Sequence, residues 1–240
     1  MRKTIKTFLI TLIITLSFNS NANSNDKDKS FQKCLTELKP FVIYYELKSG
    51  FINVNSEHKL QLSNNTWRYR SYADGGFLGK ASEESTFTNN DGFKLTEYNS
   101  YRRIAFNKKR RKVTINWDSG FYKTSKGLNE KFNKKIILFD KASQQLAIQC
   151  KIKNGVENFT LNLATRSGIS NYSYSVVSKN ENIKTSMGTL KSIKVKQNRN
   201  DSRDVIFWLS PEMDYIPIRF IYKEEGDDSI AATIKNFKYL

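Results

Sequence analysis

Apolar and polar residues take turns along most of this chain. Ile52, Val54, Ser56, His58, Leu60 and Leu62 share one parity, and Asn53, Asn55, Glu57, Lys59 and Gln61 share the other. Side chains of an extended strand point alternately to opposite faces, so this stretch predicts a strand with one buried face. Residues 66–72 repeat the pattern, with Trp67 and Tyr69 opposite Arg68 and Arg70. So do Val113, Ile115 and Trp117, then Phe159, Leu161 and Leu163, then Tyr172, Tyr174 and Val176, and finally Ile193 and Val195. Residues 41–48, 205–209 and 216–222 are more uniformly apolar, as strands covered on both faces would be. Turn chemistry separates these runs at Ser49-Gly50, Asn64-Asn65, Asp74-Gly75-Gly76 and Asn89-Asn90-Asp91-Gly92. A last hairpin turns at residues 224–228 and returns through Ile230 to Tyr239.

Helical spacing occurs twice. Phe31, Cys34, Leu35 and Leu38 follow Ser30, a favourable N-cap, and Pro40 ends the segment. Asp140 is placed to cap a second helix carrying Ala142, Leu146 and Cys150 four residues apart and finishing near Gly155. About a dozen strands in one flat sheet would leave long exposed edges. The expected fold is therefore mainly β: a single strongly curved antiparallel sheet, a barrel or half-barrel, with about two short helices covering it. No internal repeat or linker divides residues 23–240, which are read as one domain.

Residues 8–18 break the alternation. They form an uncharged apolar run behind Arg2, Lys3 and Lys6, followed by the small residues Ser20 and Ala22. This is the layout of a signal peptide over residues 1–22, cleaved after Ala22. The run falls short of the roughly 20 residues that a membrane-spanning helix needs. The expectation is an exported, periplasmic chain with no transmembrane span after processing.

That address changes the meaning of the net charge of +17. Nucleic acid is not an expected partner outside the cytoplasm. The acidic partners there are envelope lipid headgroups, lipopolysaccharide phosphates and periplasmic proteins; alternatively, the excess only maintains solubility. Lys108-Lys109-Arg110-Arg111-Lys112 reads as a cationic hairpin tip leading into the strand at Val113. Cys34 and Cys150, the only two cysteines, form one disulfide in an oxidising compartment or remain two buried thiols.

Catalytic chemistry has little material. His58 is the single histidine and lies on the apolar parity of its strand. No nucleophile-elbow motif accompanies it, and Glu83 and Glu84 face opposite sides of any strand. The acidic residues of 224–228 match no calcium-loop spacing. No catalytic residue, metal or cofactor is expected. Candidate ligand contacts are Trp67, Tyr69, His58, Trp208, Tyr215 and Arg219. In the last segment Pro211 and Pro217 force a bend, which a Glu212–Arg219 or Asp214–Arg219 pair would clamp.

Taken in order, PFVIYYELKSG, FINVNSEHKLQL, YNSYRRIAF, RKVTINWDSG, LFDKASQQLAIQCKIKNG, SMGTLKSIKV and FWLSPEMDYIPIRFIYKEEG resemble the exported bacterial proteins of the domain-of-unknown-function 3108 family. The most specific part is residues 208–219. The resemblance implies a secreted, mainly β protein of Gram-negative type with no known catalytic residues. A weaker, fold-level resemblance runs to periplasmic lipoprotein-carrier half-barrels with a helical lid. These features lead to the expectation of a non-enzymatic binding, carrier or chaperone-like module for an amphipathic or anionic envelope component. The alternative is an interaction partner in an envelope complex. A hollow interior would favour the carrier, and a filled one the interaction partner.

Overall fold

The computed structural model describes residues 24–104, 106–224 and 229–240. The expected signal peptide and the tip of the last hairpin lie outside them. After α1 (Ser24–Thr36), eight strands run as a meander: β1 (Phe41–Ser49), β2 (Ile52–Ser63), β3 (Thr66–Asp74), β4 (Lys80–Thr88), β5 (Lys94–Ile104), β6 (Asn107–Asn116), β7 (Phe121–Thr124) and β8 (Asn129–Lys131). The chain then crosses through β9 (Leu138–Phe139) and α2 (Gln144–Lys153). A second meander follows: β10 (Asn158–Thr165), β11 (Gly168–Thr185), β12 (Gly188–Asn198), β13 (Asp204–Ser210), β14 (Ile216–Lys223) and β15 (Ile230–Tyr239).

The fifteen strands of the described residues join one sheet, in the order β8 to β1, then β15 down to β9. The two meanders meet where β1 pairs with β15, Phe41 opposite Tyr239. The sheet curls without closing. Tyr122 on β7 donates its hydroxyl to the Thr165 carbonyl at the end of β10, 3.2 Å away, so the two ends of the sheet face each other across the concavity without a ladder between them. The sheet is antiparallel except at one place: β9 pairs parallel with β10, because a helix instead of a tight turn connects them.

The local sequence accounts for these elements. In β2, Ser56, His58 and Leu60 are buried between more accessible polar neighbours; Leu62, on the same parity, is exposed near the strand end. Asp140 caps the turn entering α2: its Oδ1 accepts from the Ala142 and Ser143 backbone N–H groups, and Ser143 Oγ accepts from the Asp140 N–H in return. Gly155, at φ 67°, follows the end of that helix. Helix α1 begins at Ser24, six residues before the expected cap at Ser30, because no proline or glycine interrupts the intervening residues.

Both helices fill the concave side. Leu35, Leu146, Ala147, Ile148 and Cys150 are fully buried, and Phe31 meets Phe139. A Cys34–Cys150 disulfide, with Cα atoms 5.7 Å apart, ties the helices together.

Candidate ligand-binding surface

Three of the candidate residues lie together on the concave face, beneath α2. His58 Nδ1 is 3.0 Å from the Tyr69 hydroxyl, which donates to Gln145 Oε1. Two strand positions from Tyr69, Trp67 stacks on Phe87 and donates its indole N–H to Asn89 Oδ1, while the Asn89 amide donates to the Leu35 carbonyl in α1. His58, Tyr69, Trp67, Phe87 and Asn89 are all buried, and Gln145 is half-buried. Burial alone pushes His58 down to about 3, so it is neutral, and burial drives the Tyr69 phenol well above its ordinary value.

A second buried group lies next to this network. Ser85 Oγ donates to Asp140 Oδ1 at 2.5 Å, while Asp140 Oδ2 has no partner among the described residues. Burial raises Asp140 to about 7 against the opposing pull of its hydrogen bonds to Ser85, Ser143 and Ala142. Serine, histidine and aspartate are all present here, but the serine bonds directly to the aspartate and the histidine bonds to a tyrosine. The nucleophile–base contact that acyl transfer needs is not formed. A further set, Gln197 to Tyr174 to Gln144, joins β11 and β12 to the start of α2.

The other three candidates lie elsewhere. Trp208 is on the outer face of β13, only 5% exposed, with Lys194 and Arg219 over its ring at 5.2 and 5.3 Å and Glu181 accepting its indole N–H at 2.6 Å. Arg219 therefore packs on Trp208 and forms neither expected clamp. The bend is held instead by Asp214, which pairs with Lys153 of α2 and whose carbonyl accepts from Gln149. Tyr215 follows at φ 60°, its N–H bonded to the Ser210 carbonyl. The six candidates thus form a concave trio, an outer pair and a rim residue, and do not line one pocket.

A different surface emerges from the pairing of β5 with β6. The run 108–112 is a stretch of strand, not a hairpin tip: Arg103 pairs with Lys108, Arg102 with Lys109, Tyr101 with Arg110 and Ser100 with Arg111. The turn comes earlier because Arg102 and Arg103 continue β5 up to Ile104. This end of the hairpin is exposed on both faces. Among the described residues, Arg102, Arg103, Lys108, Lys109, Arg110 and Arg111 take part in no ion pair, while nearby Lys112 pairs with Glu97 and Arg68 with Glu84. Arg110 lies over the Tyr101 ring at 5.5 Å. Beside it, an open groove of about 410 Å³ is lined by Arg70, Tyr101, Arg110, Arg111 and Lys112, with Glu84 on one wall. The sequence signal for this surface was the pair of basic runs, 102–103 and 108–112; the register brings them side by side.

The fold is similar to that of a β-barrel-like protein of domain-of-unknown-function family DUF1849 from Brucella abortus. That match has a TM-score of 0.52 and 12% identity, over 85% of this chain and 98% of the other. A second similar structure is the Pseudomonas aeruginosa MucA/MucB complex, with a TM-score of 0.36 and 8% identity over 89% of this chain; the chain spans 56% of that protein's length. No curated protein matches the sequence. The family model described as "Protein of unknown function (DUF3108)" matches residues 41–235, and the chain belongs to that family.

Proposed function

We propose that the protein is a non-catalytic envelope module that binds an anionic envelope component, such as a lipid headgroup or lipopolysaccharide phosphate, on its outer surface. The observation carrying this reading is the ladder of six unpaired cations on β5 and β6. Closely spaced like charges repel one another, and a bound polyanion relieves that repulsion; such attraction weakens as salt screens it. The packing of α1 and α2 into the concavity supports a surface binder over a carrier with a lipid-filled barrel. An interaction partner within an envelope complex is the second reading, favoured by the same packed concavity.

The test is binding of purified protein to immobilised lipopolysaccharide across a salt series. The quadruple variant Lys108→Gln, Lys109→Gln, Arg110→Gln, Arg111→Gln should lose most of the salt-dependent binding. A control with Lys184→Gln and Lys191→Gln, on the β11–β12 hairpin, should keep it. A loss in the control about half that of the quadruple variant, in proportion to the two and four charges removed, would mean that diffuse net charge, and not this hairpin, does the binding.

A further inference from the structure

Alternate turns of an antiparallel meander fall at the same end of the sheet. The β2–β3, β4–β5 and β6–β7 connections, at one end, carry ordinary turn residues: Asn64-Asn65, Asn89-Asn90-Asp91-Gly92 and Asp118-Ser119-Gly120. The β1–β2, β3–β4 and β5–β6 connections, at the other end, each present a phenylalanine to solvent: Phe51 is 96% exposed, Phe77 90% and Phe106 100%. Turn chemistry calls for none of them, since glycine, asparagine and aspartate are the residues that such connections favour. Ile104 and Ile230 add partly exposed apolar surface at the same end. Neighbouring tips are two strands apart, about 10 Å, so the three rings span about 20 Å.

The Phe77 tip is also held in place. Gly79 lies against the end of β5, where an added Cβ would be 2.3 Å from the Arg103 carbonyl oxygen. The 3-10 turn Gly76–Leu78 is thereby pressed beside Ile104. The six unpaired cations of the β5–β6 hairpin stand immediately behind the Phe106 tip. Aromatic tips with a basic collar suit a surface that is apolar below and anionic at its boundary, which is the interface of an anionic bilayer.

We infer that this rim docks the protein on an anionic membrane surface, with Phe51, Phe77 and Phe106 entering the headgroup region while Arg102, Arg103 and Lys108 to Arg111 contact lipid phosphates. The inference rests on the reading of the β5–β6 hairpin as an anion-binding surface, and adds to it a bilayer and an orientation. Each cation near such a surface contributes about 1 kcal/mol, or about fivefold in partitioning.

The test uses vesicles of phosphatidylethanolamine and phosphatidylglycerol. In a Phe106→Trp variant, the added fluorescence should shift to the blue on mixing and be quenched by bromine-labelled lipid. Trp67, Trp117 and Trp208 supply a background measured on the unsubstituted protein. Phe77→Ser and Phe51→Ser should each weaken partitioning about tenfold, as loss of a largely buried aromatic ring predicts. Lys108→Gln with Lys109→Gln should weaken it about thirtyfold, and vesicles without phosphatidylglycerol should bind poorly. Binding of the Phe106→Trp variant to anionic vesicles with its introduced indole left in water would overturn insertion yet leave the cationic hairpin reading standing. A rim that crosslinks to a protein in cells but ignores vesicles would assign it to a protein partner and overturn the membrane inference. Loss of both vesicle and lipopolysaccharide binding would remove both readings.

Discussion

Replacing Asp140 by asparagine should make stability fall more steeply on acidification from about pH 6.5 to 4.5 than it does in the unsubstituted chain. Asp140 is fully buried with one oxygen unpartnered among the described residues, and its native value of about 7 lies well above the ordinary carboxylate value near 3.9. Its native form therefore holds a proton that the unfolded chain has released, so acidification through this window favours folding. His58 does the opposite. Its native value of about 3 lies below the unfolded value near 6.5, so the unfolded chain takes up a proton that the native state refuses. Stability attributable to His58 falls as pH drops through the same range. Each unbalanced proton corresponds to about 1.4 kcal/mol per pH unit, and the two slopes cancel. In Asp140→Asn the histidine slope is left uncompensated, and stability should fall by about 2 kcal/mol more from pH 6.5 to 4.5 than in the unsubstituted protein. In His58→Gln the aspartate slope is left uncompensated, and stability should rise by about the same amount relative to the unsubstituted protein. The double variant should run parallel to the unsubstituted protein. Urea unfolding midpoints at the two pH values, converted with a common m-value, measure all four proteins. Groups shared by all four drop out of the comparison. An Asp140→Asn profile parallel to that of the unsubstituted protein would refute the argument that this carboxyl is protonated in the fold.

Reduction of the Cys34–Cys150 disulfide, or its removal by paired serines, opens a link across 116 residues and should cost about 4 kcal/mol in urea unfolding. Trp67→Phe leaves Asn89 Oδ1 without its indole donor inside the core; a loss of about 2 kcal/mol is expected, read from the thermal midpoint. Gly79→Ala places a methyl against the Arg103 carbonyl in a backbone conformation at φ 143°. It should destabilise by about 2 kcal/mol and raise amide exchange in the Phe77 turn, whereas Gly127→Ala, with open space around it, should leave that turn unchanged.

How far the fold could be read depended on how local the governing interaction was. Alternation in β2 and β3 is a property of neighbours in sequence, so it shows that His58, Trp67 and Tyr69 face inward. The Asp140 cap is equally local. The partner of Arg219 is not: the residues at positive φ, Asp214 and Tyr215, and the register shift at Trp208 and Leu209 put Arg219 opposite Trp208 instead of beside Glu212. Register shifts in β11, between Val176 and Glu181, likewise move burial in β12 to Ser192, Val195 and Gln197, where strict alternation cannot be followed. The basic run on β6 is a case of missing punctuation, for Ile104 and Phe106 are none of the usual turn residues. The parallel β9–β10 pair rests on two residues, too few to show any period. The candidate residues on the two faces of the sheet were individually visible as aromatics and arginines. Which of them meet depends on topology, which no local window contains.

The pairing of β1 with β15 has a consequence for how the chain reaches this shape. The second and the last elements in sequence order among the strands and helices are neighbours at the middle of the sheet, so neither meander can be sealed to the other until the final strand arrives. Until then the growing polypeptide carries two raw seams, along β1 and β14, each able to recruit a stray strand. Premature termination before Ile230 would leave both seams permanently open, and clumping, not partial activity, is the fate such a fragment faces.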